Sequence, residues 1–89
     1  MSDLLDQYEG MLAKRNNYDY SDLRRLLLAC GFELKKENST HSIFKHKSLT
    51  NLLTIVRDGN RVKKGVYVSE SKKAIDELLS LGVVNLKGE

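Results

Sequence analysis

The sequence contains no proline and only one cysteine, Cys30, among its 89 residues. A single cysteine excludes an internal disulfide. Together with the lack of a recognisable export signal, this cysteine usage predicts a cytoplasmic protein. The acidic start, MSDLLDQYEG, is unlike a signal peptide or a transit peptide. No apolar run approaches the ~20 residues that a membrane-spanning helix needs, so no membrane association is expected. A Walker-type phosphate loop and a dinucleotide-binding glycine pattern are also absent.

The size and the charge distribution limit the kinds of site that the chain can form. A single domain of this length buries only ~60–65% of the surface of its unfolded chain, so an open groove or a sheet face is expected rather than an enclosed cavity. Residues 23–73 contain twelve basic and four acidic residues, a net charge of +8, and the flanking segments are net acidic. Such a basic region is typical of nucleic-acid binders; the ordinary alternative is a solvated lysine-rich face.

Apolar residues recur at helical spacing in three segments, residues 3–15, 20–31 and 69–82. Cys30 lies on the apolar stripe of the second segment, so a small buried residue is expected there rather than a catalytic thiol. The apolar stripe of the first segment consists of Leu4, Leu5, Tyr8, Met11 and Leu12. Candidate capping residues flank the last two segments: Asp19 or Ser21 and Ser69 or Ser71 at their beginnings, and Gly31 and Gly82 at their ends.

Between the second and third helices the pattern changes to a period of two. It predicts three strands, FELKKE, HSIFKHK and NLLTIVR, joined by short loops into an antiparallel meander. The next stretch, RDGNRVKKG, predicts a turn-rich basic loop. Because a lone meander cannot exclude water, the helices must cover one sheet face. The prediction is an α+β fold of order α-α-β-β-β-α, with a three-stranded antiparallel sheet and helices on one face.

The second predicted strand holds both histidines of the chain. Alternation places Ser42, Phe44 and His46 on the helix-covered face. His41 and Lys45 then lie on the open face. The reverse assignment also stays open, because Ile43 is apolar as well. His46 is expected to be structural.

A histidine at the junction of a loop and a strand can exchange protons near neutral pH. RNA carries its own nucleophile, the 2′-OH, so a base and a cation near the phosphate can suffice for cleavage. His41 is the candidate acid or base, although an exposed histidine is most often an ordinary surface residue. The candidate phosphate contacts are Lys35, Lys45 and Lys47, and the candidate hydroxyls that bind a phosphate or orient the imidazole are Ser39 and Thr40. No metal site is expected, because His41 and His46 point to opposite faces and no cysteine or acidic cluster joins them.

Residues 18–81 resemble the HicA toxins of bacterial HicA–HicB toxin–antitoxin pairs. Gly31 and Phe32 match a Gly-Phe pair of that family, and Phe44 matches an aromatic position three residues after its histidine. The run 39–41, Ser-Thr-His, stands where the family usually has Gly-Ser-His. The loop after the third strand, VRDGNR, has neither the proline nor the histidine often found there in relatives.

The resemblance implies a fold similar to the double-stranded-RNA-binding domain over residues 18–89, with residues 1–17 as an N-terminal helical extension. It implies a cofactor-free, metal-independent ribonuclease that cleaves mRNA through His41. It further implies a HicB-type antitoxin as partner, with the toxin a monomer when free or part of a hetero-oligomer with the antitoxin. Two alternatives stay open: a non-catalytic RNA-binding module of the same fold, and a small interaction protein whose basic patch binds an acidic protein.

Overall fold

The structure is a computed structural model that describes residues 4–14, 18–63 and 65–85. Within these residues the elements are α1 (Leu4–Ala13), α2 (Tyr20–Ala29), β1 (Glu33–Glu37), β2 (His41–Lys45), β3 (Leu53–Asp58), β4 (Arg61–Val62) and α3 (Gly65–Ser80). The strands form one antiparallel sheet in the order β1-β2-β3-β4. The predicted α+β class and the antiparallel meander are confirmed, but the predicted number of three strands is wrong. In the described part of the chain, no helix is long and apolar enough to cross a membrane.

The fourth strand lies in the segment that was predicted to be a basic loop. The chain reverses at Gly59, whose φ of 61° is in the left-handed region. Asp58 then pairs with Arg61, and Arg57 pairs with Val62. Val62 is buried, and it joins the core cluster. A strand of two residues is too short to show alternation, so the sequence pattern gives no sign that Val62 belongs to a strand.

The helices and one face of the sheet enclose a single hydrophobic core. Ser42, Phe44 and His46 are buried, whereas His41 and Lys45 are exposed. The predicted assignment of the two faces of β2 is therefore confirmed. Met11 of α1 is fully buried in the same core, but Leu12, predicted to lie on the apolar stripe, is 40% exposed. The predicted domain boundary after residue 17 lies outside the described residues.

The residues that cap the N-termini of the helices differ from the predicted ones, whereas the glycines at the C-termini agree with the prediction. Asp19 occupies the N-cap position of α2, but its side chain makes no capping hydrogen bond. Asn60, from the β3–β4 turn, takes that role, because its carbonyl accepts from Tyr20 N at 2.8 Å and its Oδ1 accepts from Ser21 N at 2.9 Å. The terminal glycines of α2 and α3 have positive φ, as predicted, at Gly31 and Gly82.

The third helix begins at Gly65, four residues before the predicted cap at Ser69. Ser71, the other candidate cap, is fully buried inside the helix, where its hydroxyl donates to Tyr67 O at 2.8 Å. Both capping predictions for α3 are wrong. The added first turn brings Val68 into the core. This burial is the physical reason that the helix begins before the polar segment that starts at Ser69.

Candidate active site

His41 is the first residue of β2, and its side chain lies on the sheet face that the helices leave open. The cross-strand pairs define that face, because residues opposite each other in antiparallel strands project to the same side. His41 pairs with Val56, and Ile43 pairs with Thr54 on β3 and with Lys36 on β1. The open face thus has a short apolar centre beside His41 and basic side chains around it.

A β-bulge in β1 changes which lysines reach this face. The register shifts between Leu34 and Lys36, so Lys35 is an extra residue with no partner across the ladder. Strict alternation places Lys36 on the helix side, but the bulge pairs it with Ile43 on the open face. Lys36 and His41 are then diagonal neighbours, and the two residues of such a pair lie about 7–8 Å apart, with their Cβ atoms somewhat closer. Lys36 was not among the predicted site residues, because a bulge leaves no periodic signal.

The loop before His41 is organised by the side chain of Asn38. Its Oδ1 accepts hydrogen bonds from Thr40 N at 3.0 Å and from His41 N at 2.8 Å. The main chain closes the same turn, since Asn38 N donates to His41 O at 2.9 Å. Asparagine commonly stabilises turns in this manner. The first residue of NST, rather than the predicted serine and threonine alone, therefore fixes the position of His41.

Thr40 holds the imidazole ring of His41. Thr40 Oγ1 lies 2.8 Å from His41 Nδ1 and 3.3 Å from Asn38 Oδ1. When the hydroxyl donates to Asn38, it accepts from Nδ1–H, and Nε2 carries a free lone pair that can act as a base. When the hydroxyl donates to Nδ1, the proton of the neutral ring is on Nε2, and this tautomer has no free lone pair at Nε2 to act as a base. The first arrangement makes Nε2 the atom that can take a proton, and it is the arrangement that the predicted orienting role of Thr40 needs.

Arg57, at the end of β3, fastens this loop to the rest of the sheet. Its backbone N donates to Thr40 O at 2.8 Å, and its Nη2 donates to Asn38 O at 2.7 Å. The guanidinium also stacks over the ring of Tyr20, 4.3 Å from the ring centroid. Arg57 was not predicted as a site residue, because its role depends on contacts between β3, α2 and the loop that sequence spacing does not reveal.

Beneath the loop, Tyr20 links the two strands on the helix side. Its hydroxyl donates to Glu37 at 2.6 Å and lies 2.5 Å from Ser42 Oγ. Burial, reinforced by the hydrogen bond to Glu37, raises the pKa of the Tyr20 phenol. The phenol thus stays protonated near neutral pH and keeps the Glu37 carboxylate paired. This network supports the β1–β2 hairpin from below and leaves the open face to His41.

The predicted phosphate contacts do not all lie beside His41. Lys45 shares the face of His41, but it lies four positions farther along the strand, about 13 Å away. Lys35 Nζ binds Glu33 Oε2 at 2.7 Å, and this hydrogen bond lowers the pKa of Glu33. Lys47 follows β2 and borders a separate groove with His46. Ser39 is exposed in the same loop as Thr40.

His46 and Cys30 are structural, as predicted. His46 is 2% exposed, its Nδ1 accepts from Ser48 N at 3.0 Å, and its Nε2 therefore donates to Cys30 O at 3.1 Å. Burial raises the pKa of the Cys30 thiol to about 11, which keeps it protonated and unreactive. Within the described residues, no three histidine, cysteine or acidic side chains come together as a possible metal site.

Comparison with known proteins returned no matching family model, no similar curated protein and no similar solved structure. The residues around His41 and the motif formed by Gly31-Phe32, Ser39-Thr40-His41 and Phe44 are therefore the features that point to a function.

Proposed function

We propose that this protein is a metal-independent endoribonuclease of the HicA toxin kind, which cleaves mRNA with His41 as the proton-transfer residue. The observation that carries the proposal is the geometry of His41. Its ring is exposed on the open sheet face, and Thr40 holds its Nδ1 at 2.8 Å, which leaves Nε2 to meet a substrate. The Gly-Phe pair, the Ser-Thr-His run and Phe44 support the same family.

The proposed reaction is an attack of the 2′-oxygen of one ribose on the adjacent phosphorus. Nε2 of neutral His41 takes the proton of the 2′-OH as the new O–P bond forms. The bond from phosphorus to the 5′-oxygen breaks, and that oxygen takes a proton from a water molecule at the exposed site. The hydroxide that this leaves removes the proton from His41 Nε2, which restores the neutral ring. The products are a 2′,3′-cyclic phosphate and a free 5′-OH.

Charge on the phosphate has to be balanced as the proton leaves the 2′-OH. Lys36 is the basic residue of the open face that the strand register places diagonally next to His41. A cation at this position stabilises the additional negative charge that develops on the phosphoryl oxygens. Lys45 lies farther along β2 from His41, so it is better placed for a neighbouring phosphate of the RNA than for the phosphate that reacts.

The remaining parts of the proposal concern the partner and the cell compartment. A HicB-type antitoxin would neutralise the toxin by covering the open face, which holds His41 and the exposed lysines of β1 and β2. The proposed fold relationship is to the double-stranded-RNA-binding domain, and the proposed location is the cytoplasm. Mixing the protein with the product of a neighbouring antitoxin gene should stop cleavage by forming a stable complex.

The decisive test is incubation of the purified protein with a long single-stranded RNA, with and without a metal chelator, beside the variant His41→Ala. Chelator-resistant cleavage that the variant loses would establish the proposed function. Because His41 is exposed, the variant should keep the wild-type melting temperature, and this check separates loss of chemistry from loss of folding. Cleavage at the wild-type rate by His41→Ala would refute the role of His41.

A non-catalytic RNA-binding module is the second candidate. The observation that favours it is that the basic residues Lys35, Lys36 and Lys45 lie on the open face independently of His41. Under this alternative the protein binds RNA with a steep salt dependence, but neither the wild type nor His41→Ala cuts it. RNA affinity that does not change with salt would argue for an acidic protein partner instead.

A further inference from the structure

A groove with three arginines lies on the helix side of the sheet, at the same end as the His41 loop. It is formed by α2, the end of β1 and the β3–β4 turn. The residues that line it and concern its chemistry are Tyr20, Arg24, Arg25, Glu37, Arg57 and Asn60. Nothing in the proposed cleavage reaction uses this groove.

The charge of the groove is positive after its internal pairs are considered. Glu37 is the acidic residue of the lining, and its Oε2 lies 3.4 Å from Arg24 Nε. Arg25 has a weaker pair, 3.6 Å from Asp22, and its side chain is 70% exposed. Arg57 stacks on Tyr20 and makes its hydrogen bond to a neutral carbonyl. Three guanidinium groups thus face one lining carboxylate.

The guanidinium groups keep unused hydrogen-bonding capacity. Each carries five N–H donors in a planar fork that matches a phosphate. The side chains of Arg24 and Arg25 are 43% and 70% exposed, so their outer N–H groups can reach a ligand. In the part of the chain that the structure describes, the buried Nε atoms of Arg24 and Arg57 make no hydrogen bond, although Arg24 Nε remains ion-paired with Glu37. The first amides of α2, by contrast, are already bound to Asn60. The arginine side chains, rather than the N-terminus of the helix, are therefore the anion-binding groups of the groove.

We propose that this groove binds a phosphodiester of the RNA strand next to the one that reacts at His41. Arg57 connects the two places, since it holds Thr40 O with its backbone and Asn38 O with its side chain. A strand that crosses the Asn38–Thr40 loop from the open face arrives at Arg24 and Arg25. The inference depends on the proposed RNA substrate and adds a second contact site to it.

Arg25 is the residue to change, because Arg24 and Arg57 also support the hairpin. The test compares Arg25→Gln with Lys73→Gln, both in the His41→Ala background so that the RNA stays intact. Lys73 is a matched control: it is 79% exposed on α3 and forms the same kind of i,i+3 pair, 3.4 Å from Glu70. Affinity for a single-stranded RNA is measured over a range of salt concentrations.

Arg25→Gln is expected to weaken binding about three- to tenfold at low salt and to reduce the slope of log affinity against log salt by about 0.7, the value for one phosphate of a single strand. Lys73→Gln should change neither. Addition of the RNA should also shift the Nε–H resonances of Arg24 and Arg57 in an NMR spectrum.

Equal affinity and equal slope for Arg25→Gln and Lys73→Gln, with unmoved arginine resonances, would overturn the groove as an RNA site. Cleavage by the wild-type protein would then still stand, so the two proposals fail separately. Absence of any RNA binding by the His41→Ala protein that serves as the background would overturn both proposals. Loss of antitoxin binding in Arg25→Gln, with RNA affinity unchanged, would assign the groove to an acidic protein surface and also overturn the inference.

Discussion

Replacement of Gly31 with alanine is expected to lower the free energy of unfolding by about 2–5 kcal/mol. Gly31 has a φ of 95°, a backbone region that costs a residue with a Cβ about 1–2 kcal/mol. The added Cβ would lie 3.0 Å from Nε2 of His46, the atom that donates to Cys30 O. If the buried ring moves away, the hydrogen bond from Nε2 to Cys30 O is lost, and the unpaired buried group costs about 1–3 kcal/mol.

Urea denaturation of the wild type, Gly31→Ala and Gly59→Ala measures the two contributions separately. Gly59 also has a positive φ, 61°, but a Cβ there meets no atom within 4 Å. Its replacement should therefore cost only the backbone term of about 1–2 kcal/mol. Equal losses of unfolding free energy in the two variants would show that the contact between Gly31 and His46 contributes nothing, and would refute the reasoning.

The same contact matters for the proposed chemistry, because His46 anchors the end of β2. A register slip of one residue would exchange the two faces of the strand and turn His41 toward the helices. The ring of His46, with hydrogen bonds to Cys30 O and from Ser48 N, opposes such a slip. Gly31→Ala should consequently reduce RNA cleavage more than Gly59→Ala does at equal folded fractions.

Three further outcomes are expected. Thr40→Val should slow RNA cleavage about tenfold, since the variant loses the hydrogen bond that orients His41, whereas Thr40→Ser should stay near the wild-type rate; equal rates would contradict the orienting role. In the same cleavage assay Lys36→Gln should slow the reaction more than Lys45→Gln, and the reverse order would locate the reacting phosphate farther along β2. Burial disfavours ionisation of Asp76, but hydrogen bonds from a lysine of α3 and a tyrosine of α1 outweigh it and lower its pKa below 3.8. Ionised Asp76 therefore stabilises the fold above that pH, and this stability is lost as the pH falls through the folded pKa. Chemical denaturation should find Asp76→Asn less stable than the wild type at pH 7, with the difference shrinking as the pH falls through the lowered folded-state pKa of Asp76; a constant difference would exclude ionisation as its cause.

The parts of the fold that periodicity determines could be predicted from the sequence. Alternation in HSIFKHK correctly placed Phe44 and His46 in the core and His41 outside. Helical spacing correctly located α1 and α2, and glycines correctly marked the ends of α2 and α3. These features depend on local patterns that burial enforces, because one face of each element has to be apolar.

The features that were missed depend on contacts between distant segments. Asn60 caps α2 from a turn about 40 residues later in the chain, so no local spacing announces it. The bulge at Lys35 moves Lys36 to the open face, and the charged run of residues 35–37 contains no apolar residue that could reveal the shift. Arg57 reaches the His41 loop because β3 continues for two residues beyond its last pair with β2, at Val56. The candidate base and the hydroxyl of Thr40 beside its ring could be predicted, but not Asn38 and Arg57, which hold the loop.

The loop that carries His41 shows how this chain can do without the usual glycine of the related motif. A glycine before the Ser/Thr-His pair would permit a positive φ or a close backbone approach. No described residue other than glycine has a positive φ, so Ser39 adopts an ordinary backbone conformation. The turn is instead closed by Asn38, whose Oδ1 accepts hydrogen bonds from the backbone amides of Thr40 and His41. The position of His41 thus depends on the Asn38 side chain, and Ser39 is compatible with the proposed catalytic role.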